Sequence, residues 1–204
     1  MSGDEGFWVG ADPGGKGNFG VAVLRTDGLV CTVRVSCVDE AIDAVCRWMQ
    51  GPPAGLGVDA PLWWSSSLSG GRSADRWLRD KYRLSGGQVQ AVNSLRGAVL
   101  AQGMMFVQRM RECFADVRVT ETHPKALLHA LDVEEGDFYL RHRVRLDAGV
   151  VSEHERDAVI SAVAAREGFE ERWSCDLSRH RLPSEQDPSR FWLAPIHYFW
   201  PDEE

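Results

Sequence analysis

The chain has 204 residues, of which 44% are hydrophobic and 26% charged. These values are typical of one folded globular domain with a substantial core and exclude a disordered chain. The formal net charge of −7 excludes a globally basic protein that wraps polyanions, so any contact with nucleic acid requires a local basic patch or a bound metal ion.

The first third of the chain predicts three strands and a helix. The strands cover residues 7–11, 19–24 and 29–38, and glycine-containing turns separate them. Because these turns are short, the strands are expected to form an antiparallel meander. Asp39 is expected to cap a helix over residues 40–50, where apolar side chains fall on one stripe.

A short buried strand is predicted next, over residues 56–58. Asp59 comes directly after this strand, and Pro61 prevents the strand from continuing. Burying an unpaired carboxylate costs several kcal/mol. An acid at the C-terminal end of a strand avoids that cost, because it points into the crevice where α/β sheets bind their ligands. Asp59 is therefore expected to face a ligand site.

The rest of the chain predicts four helices, one strand and an aromatic tail. The helices cover residues 74–83, 94–115, 125–131 and 153–167, and the strand covers residues 117–120 and ends in Glu121. Ser73 is a candidate cap for the first of these helices. Ser152 is expected to cap the last one in a capping box with Glu155. The tail over residues 190–200 is expected to add a strand or cover a sheet edge.

This order of elements predicts an α/β fold of the RNase H-like type. Its mixed five-stranded sheet has three antiparallel strands followed by parallel crossovers and is flanked by helices. Residues 1–204 are expected to form a single domain, with residues 169–204 as an aromatic C-terminal extension of it.

Four acids are candidate catalytic residues. Asp12, Asp59 and Glu121 close the first, fourth and fifth strands, and Asp157 lies on the last helix. Carboxylates that meet at one end of a sheet repel each other and raise one another's pKa unless a cation lies between them. Mg²⁺ or Mn²⁺ suits such an oxygen-only site, and a pair of such ions can promote phosphodiester cleavage.

Each acid also has a simpler structural interpretation. Asp12 precedes Pro13 and two glycines and suits a turn. Asp59 can accept backbone N–H bonds, and Asp157 can be solvated on its helix. Glu121 and His123 can instead cap the helix that begins at Pro124.

Several segments resemble the domain-of-unknown-function family number four hundred and twenty-nine, described as predicted nucleases with an RNase H-like fold. They are Val9-Gly-Ala-Asp12, Gly57-Val-Asp-Ala-Pro-Leu62, Arg72-Ser-Ala-Asp75 with Arg79, Glu121-Thr-His-Pro124 and His154-Glu-Arg-Asp-Ala158. The resemblance covers the chain to about residue 168. It implies that Asp12, Asp59 and Asp157 form a metal-binding core with Glu121 as a further acid. The lysine-bearing glycine-rich turn after Asp12 departs from the family's pattern.

Basic and aromatic residues near these acids are candidates for substrate binding: Lys16, Trp63, Arg72, Arg76, Arg79 and His123. The arginines of the helix over residues 74–83 would supply a local patch for DNA or RNA phosphates, and Trp63 could stack on bases. The alternative is a solvated helix face whose arginines pair with Asp75 and Asp80.

The turn Asp12-Pro-Gly-Gly-Lys-Gly17 is also similar to the phosphate-gripping hairpin of sugar kinases and actin-like ATPases, in which Lys16 would supply charge. Those proteins close two such domains around a nucleotide, and this chain has room for one. A nucleotide-dependent phosphotransferase is therefore the weakest of the functions considered.

Cysteine usage and hydropathy predict a cytoplasmic protein with no membrane partner. The five cysteines lack CxxC spacing and are expected to be buried thiols in a reducing compartment. No run of about 18 apolar residues is present, and the acidic N-terminus does not resemble a signal peptide. The aromatic tail is a candidate surface for homo-oligomerisation.

The leading hypothesis is a Mg²⁺- or Mn²⁺-dependent nuclease in which carboxylates hold the metal. The first alternative is a catalytically inactive module of the same fold that binds a protein or a nucleic acid. The second is the phosphotransferase. Measurements of metal binding and of cleavage distinguish the nuclease from the inactive module. Protection of the Lys16 turn by ATP would indicate the phosphotransferase.

Overall fold

The computed structural model describes residues 6–68, 70–147, 152–192 and 194–202. The strands in this part of the chain are β1 (Phe7–Asp12), β2 (Phe19–Arg25), β3 (Leu29–Val35), β4 (Gly55–Val58), β5 (Val119–Glu121), β6 (Arg145–Leu146), β7 (Cys175–Asp176), β8 (Ile196–His197) and β9 (Phe199–Trp200). Seven of them form one mixed sheet in the order β6-β3-β2-β1-β4-β5-β8, and β7 pairs with β9 in a second sheet.

The pairing of the sheet confirms the predicted α/β fold class. Strands β1, β2 and β3 form the antiparallel meander, and β4 and β5 add to β1 in parallel. The sheet has seven strands rather than five, because β6 and β8 cover its two edges. These edge strands have only two residues each, too few for an alternating pattern to reveal them in the sequence.

The helices are α1 (Val38–Trp48), α2 (Ser73–Tyr82), α3 (Gly97–Cys113), α4 (Pro124–Leu131), α5 (Glu135–Arg141), α6 (Glu153–Phe169) and α7 (Ser189–Trp192). The predicted capping box of Ser152 and Glu155 on α6 is confirmed. Helix α5 lies in the stretch for which the sequence predicts no element, and residues 148–151 of that stretch lie outside the described residues.

Two predicted helix caps are wrong. Helix α1 begins before Asp39, and its N-cap, Cys37, makes no side-chain hydrogen bond. Asp39 instead lies in the first turn of the helix, where a negative charge interacts favourably with the helix dipole. Ser73 is the first residue of α2 rather than its cap, and Arg72 takes the N-cap position.

Helix α6 lies directly against the backbone of the sheet. A Cβ atom added to Gly10 in β1 would be 1.9 Å from the carbonyl oxygen of Ala158, and one added to Gly57 in β4 would be 2.0 Å from that of Ser161. Small residues on the helix, including Ala158 and Ala162, allow the same close approach. This contact brings Asp157 towards the ends of β1 and β4.

The C-terminal tail covers one edge of the sheet, as the sequence predicts. Strand β8 pairs in parallel with β5, and Tyr198 and Trp200 are buried, with Trp200 Nε1 donating to the hydroxyl of Tyr82 at 2.9 Å. Leu193 of the tail and residues 1–5 of the acidic N-terminus lie outside the described residues. The buried aromatic rings of the tail contribute to the protein's own core.

The prediction that the cysteines are buried is wrong, although all five are free thiols. Cys46 and Cys113 are exposed, and the other three are partly buried. Among the described residues, no helix combines the length and the apolar character needed to cross a membrane.

Candidate metal centre

The structure brings Asp12, Asp59 and Asp157 together, as the positions of these acids in the sequence predict. One ligand oxygen from each of the three carboxylates lies within 4.8 Å of the other two. Asp12 is the last residue of β1, and Asp59 directly follows β4, the parallel neighbour of β1. Because parallel neighbours end at the same edge of a sheet, these two side chains meet there. Asp157, from the second turn of α6, completes this aspartate group.

Burial and mutual repulsion make the aspartate group unfavourable as three bare anions. Burial raises the pKa of Asp12 to about 9, and the charges of Asp59 and Asp157 add to the effect. Burial also raises the pKa of Asp157 to about 6, again with help from Asp59, while Arg156 opposes the increase. A divalent cation would relieve this repulsion, and a donor set made only of carboxylate oxygens fits Mg²⁺ or Mn²⁺.

Cationic and polar side chains surround the carboxylates of the aspartate group. His154 Nδ1 lies 2.6 Å from Asp12 Oδ2, and Arg156 donates from Nε and Nη2 to Asp157 Oδ1 at 2.8 and 2.7 Å. Lys125 forms an ion pair with Glu153 at 2.6 Å, and its charge lowers the pKa of both Asp12 and Asp157.

The sequence predicted no role for His154 or Arg156. The available signal was helical spacing, since His154 lies three residues before Asp157 and therefore one turn away on the same face of the helix.

Glu121, a candidate catalytic acid at the end of β5, lies outside the aspartate group. Both of its carboxylate oxygens accept from Arg72, at 2.7 and 2.5 Å, and the backbone N–H of Leu62 donates to it at 2.9 Å. Arg72 also binds both oxygens of Asp75, at 2.9 and 2.7 Å. The three side chains are almost completely buried, so they form an internal ion cluster rather than a set of metal ligands.

Arg72 and Trp63, which the sequence assigns to substrate binding, are held by contacts inside the protein. The Arg72 guanidinium lies 4.4 Å from the centroid of the Trp63 ring, and Trp63 Nε1 donates to Glu185 at 3.1 Å. Each of the two residues is only 2% exposed. In this conformation Trp63 cannot stack on a base, and Arg72 pairs with Asp75, which is the alternative that the sequence left open for it.

A cavity of about 350 Å³ adjoins Asp12 and Asp59. Its polar wall includes His123 and Lys125. Apolar side chains also line it, including Leu84, Val89, Leu95 and Val99. The aspartate group therefore opens into a pocket of mixed character.

Two residues that the sequence assigns to substrate binding also contact the loop that lines the cavity. Arg79 Nη1 donates to the carbonyl of Val89 at 2.9 Å, and His123 Nε2 lies 2.9 Å from the carbonyl of Gln88. Both contacts hold the loop after α2, which lines the cavity. Arg76 on α2 and Lys16 in the turn after β1 are exposed and remain available to solvent or to a ligand.

The glycine-rich turn after Asp12 is held by hydrogen bonds within the turn and to the rest of the protein. Gly17 N donates to Ser36 Oγ at 3.1 Å, Asn18 N donates to the Gly15 carbonyl at 2.9 Å, and the Gln102 side chain donates to the Gly14 carbonyl. The amides of Gly17 and Asn18 are therefore already engaged, which weakens the comparison with a phosphate-gripping hairpin.

The metal-free protein is expected to lose stability as the pH rises from about 4 to about 9. Over this range the folded state keeps a proton on Asp12 that the unfolded state releases, because the folded pKa of about 9 exceeds the ordinary value of 3.8. A divalent ion replaces that proton, so Mn²⁺ should stabilise the protein more at pH 8 than at pH 5. At about 100 times Kd, the expected increase in Tm at pH 8 is about 5–10 °C.

Thermal unfolding with and without Mn²⁺ at the two pH values measures this difference, and Asp12→Asn should largely remove it. An equal Mn²⁺ effect at pH 5 and pH 8, or one retained in Asp12→Asn, would place the bound ion elsewhere.

A family model described as "Protein of unknown function (DUF429)" matches residues 10–187. The match includes all three members of the aspartate group and Glu121. Neither the curated proteins nor the solved structures contain a match to this chain. Because the family model covers most of the sequence, the chain belongs to the DUF429 family of proteins of unknown function.

Proposed function

We propose that this protein is a divalent-metal-dependent phosphodiesterase that cleaves nucleic acid. The observation that carries the proposal is the aspartate group, in which three acids from separate elements place ligand oxygens within 4.8 Å of one another at the carboxyl edge of a sheet. When bound there, Mg²⁺ or Mn²⁺ supplies a Lewis acid for a phosphoryl oxygen and lowers the pKa of a coordinated water.

The residues around the aspartate group have separate roles in this proposal. Asp12, Asp59 and Asp157 hold the ion. His154 and Arg156 orient the first and last of these by hydrogen bonds at 2.6–2.8 Å. Lys125 lines the adjoining cavity and supplies a positive charge beside the carboxylates, where a substrate phosphate would bind.

The cavity favours a substrate that places an apolar or aromatic group beside its phosphate. A volume of about 350 Å³ falls at the lower end of the range for small-ligand pockets, about 300–1,000 Å³. The leucine and valine side chains in its lining suit the face of one nucleobase. The exposed Lys16 and Arg76 can contact phosphates further along a DNA or RNA strand.

Cleavage assays on single- and double-stranded DNA and RNA, each with Mg²⁺, with Mn²⁺ or with EDTA, test this function. We expect cleavage of at least one of these nucleic acids with a metal ion and none with EDTA. Calorimetric titration with Mn²⁺ on the same protein separates the possible failures. Mn²⁺ binding without cleavage of any substrate would identify a catalytically inactive module. The absence of Mn²⁺ binding would refute the proposed metal site itself.

A further inference from the structure

Two cysteines lie at the same end of two neighbouring helices. Cys46 is in the last turn of α1, and Cys113 is the last residue of α3. Helix α1 leads into β4 and helix α3 leads into β5, and these two strands are parallel neighbours in the sheet. The two helices therefore run in the same direction, and their C-terminal ends lie side by side.

The thiols of these two cysteines are in contact. Helices α1 and α3 pack against each other, and the side chains of Cys46 and Cys113 share a hydrogen bond. Both residues are exposed, whereas the other three cysteines of the chain are partly buried. A small reagent in solution can therefore reach both sulfur atoms.

The surroundings of the pair keep Cys46 protonated at neutral pH. Partial burial raises the pKa of the Cys46 thiol, and the neighbouring Cys113 and Asp43 raise it further. Because the thiolate is the reactive form, such a thiol resists slow background oxidation. Once one sulfur of the pair has been oxidised, the other is already in place to attack it.

We propose that Cys46 and Cys113 form a dithiol modification site that a hydroperoxide converts into an intramolecular disulfide bond. First, the peroxide O–O bond breaks and one oxygen is transferred to a thiol, which gives a sulfenic acid and an alcohol, or water from H₂O₂. The second thiol then attacks that sulfur, and the S–O bond breaks with loss of water. The two sulfur atoms together lose two electrons, which the peroxide accepts.

The bond requires the two sulfur atoms to move closer together than their hydrogen-bond contact. Exposed side chains in the last turns of helices can make this movement, because helix ends fray and their side chains change rotamer freely. Dithiol reductants return the site to two thiols by thiol–disulfide exchange. In a reducing compartment the disulfide is therefore the transient form of the site.

The disulfide would join the two ends of a segment that contains much of the candidate metal centre. Residues 47–112 lie between the two cysteines and include Asp59 and the cavity-lining side chains of Leu95 and Val99. A cross-link around so long a loop lowers the entropy of the unfolded chain. The oxidised protein is therefore expected to have a Tm about 5–15 °C above that of the reduced protein.

Peptide mapping of the full-length protein after treatment with hydrogen peroxide tests the proposal. The reduced protein has five free thiols that an alkylating reagent can modify after denaturation. After the peroxide treatment we expect three of these five, together with one cross-linked peptide pair that contains Cys46 and Cys113. Dithiothreitol should restore all five thiols and return the Tm to that of the reduced protein.

Two variants locate the reaction. Cys46→Ser should abolish the cross-link and the increase in Tm, and it should leave Cys113 as a sulfenic acid that dimedone can trap. The matched control is Cys37→Ser, because Cys37 is the N-cap of the same helix, where serine is a favoured residue. Cys37→Ser should form the same cross-link and show the same increase in Tm.

The wild-type protein decides the question even if a variant fails to fold. Five remaining thiols after peroxide treatment, or a cross-link between any other pair of cysteines, would overturn the proposal. Disulfide-linked dimers on a non-reducing gel, in place of the internal cross-link, would also overturn it. None of these results depends on Mn²⁺ binding or on cleavage of nucleic acid, so this inference and the proposed function fail independently.

Discussion

Asp59→Asn is expected to reduce metal-dependent cleavage by about 10³-fold or more, which corresponds to about 4 kcal/mol of transition-state stabilisation. The charge of Asp59 raises the pKa of both Asp12 and Asp157, which shows that it acts on both of the other carboxylates. An amide is neutral and binds a hard cation more weakly than a carboxylate does. Steady-state kcat/KM with Mn²⁺, and the Mn²⁺ affinity from calorimetry, measure the loss.

The fold should tolerate Asp59→Asn, because the substitution removes a repulsive charge from a side chain that is 18% exposed. The Tm of the metal-free variant should therefore equal or exceed that of the wild type. Asp43→Asn, on the exposed face of α1, is the matched control and should change kcat/KM by less than about twofold. Cleavage by Asp59→Asn at the wild-type rate would contradict the assignment of the metal centre.

Arg72→Met is expected to destabilise the protein by about 3–5 kcal/mol, because it leaves Glu121 and Asp75 buried without a counter-charge. Burial already raises the pKa of Glu121, and Arg72 opposes that increase in the wild type. Methionine retains much of the apolar length of arginine, so most of the loss comes from charge and hydrogen bonds. Urea denaturation of the metal-free protein gives the change in free energy of unfolding.

Two further variants identify the cause of the loss. Arg76→Met, exposed on the same helix, should change the stability by less than about 0.5 kcal/mol. The combination of Arg72→Met with Asp75→Asn and Glu121→Gln should recover part of the lost stability, since it leaves no buried charge without a partner. If Arg72 contacts substrate instead of supporting the fold, Arg72→Met would keep its stability and lose only activity.

The two strand-end aspartates could be predicted because strand order and local pattern determine where they lie. Asp12 and Asp59 each end a buried strand, and the crossover through α1 makes those strands parallel neighbours. Asp157 follows from a helix of small residues that must approach the sheet. None of these inferences requires knowledge of side-chain contacts between distant parts of the chain.

The surroundings of the site could not be predicted in this way, because they depend on such contacts. Glu121 ends its strand as the other acids do, yet its oxygens bind Arg72, which is 49 residues away in sequence. Trp63 beside the site suggested base stacking, but Glu185, 122 residues later, binds its indole N–H and contributes to its burial. The contact of His154 with Asp12 spans 142 residues.

The glycines beneath α6 have a consequence for how freely the sequence can vary. Main chain touches main chain at Gly10 and Gly57, so backbone dimensions rather than side-chain volumes set the height of the helix above the sheet. Exchanges among aliphatic residues elsewhere in the interior should therefore alter overall stability without moving Asp157 relative to Asp12. The spacing of the oxygens in the aspartate group should therefore depend little on the side chains packed elsewhere in the interior.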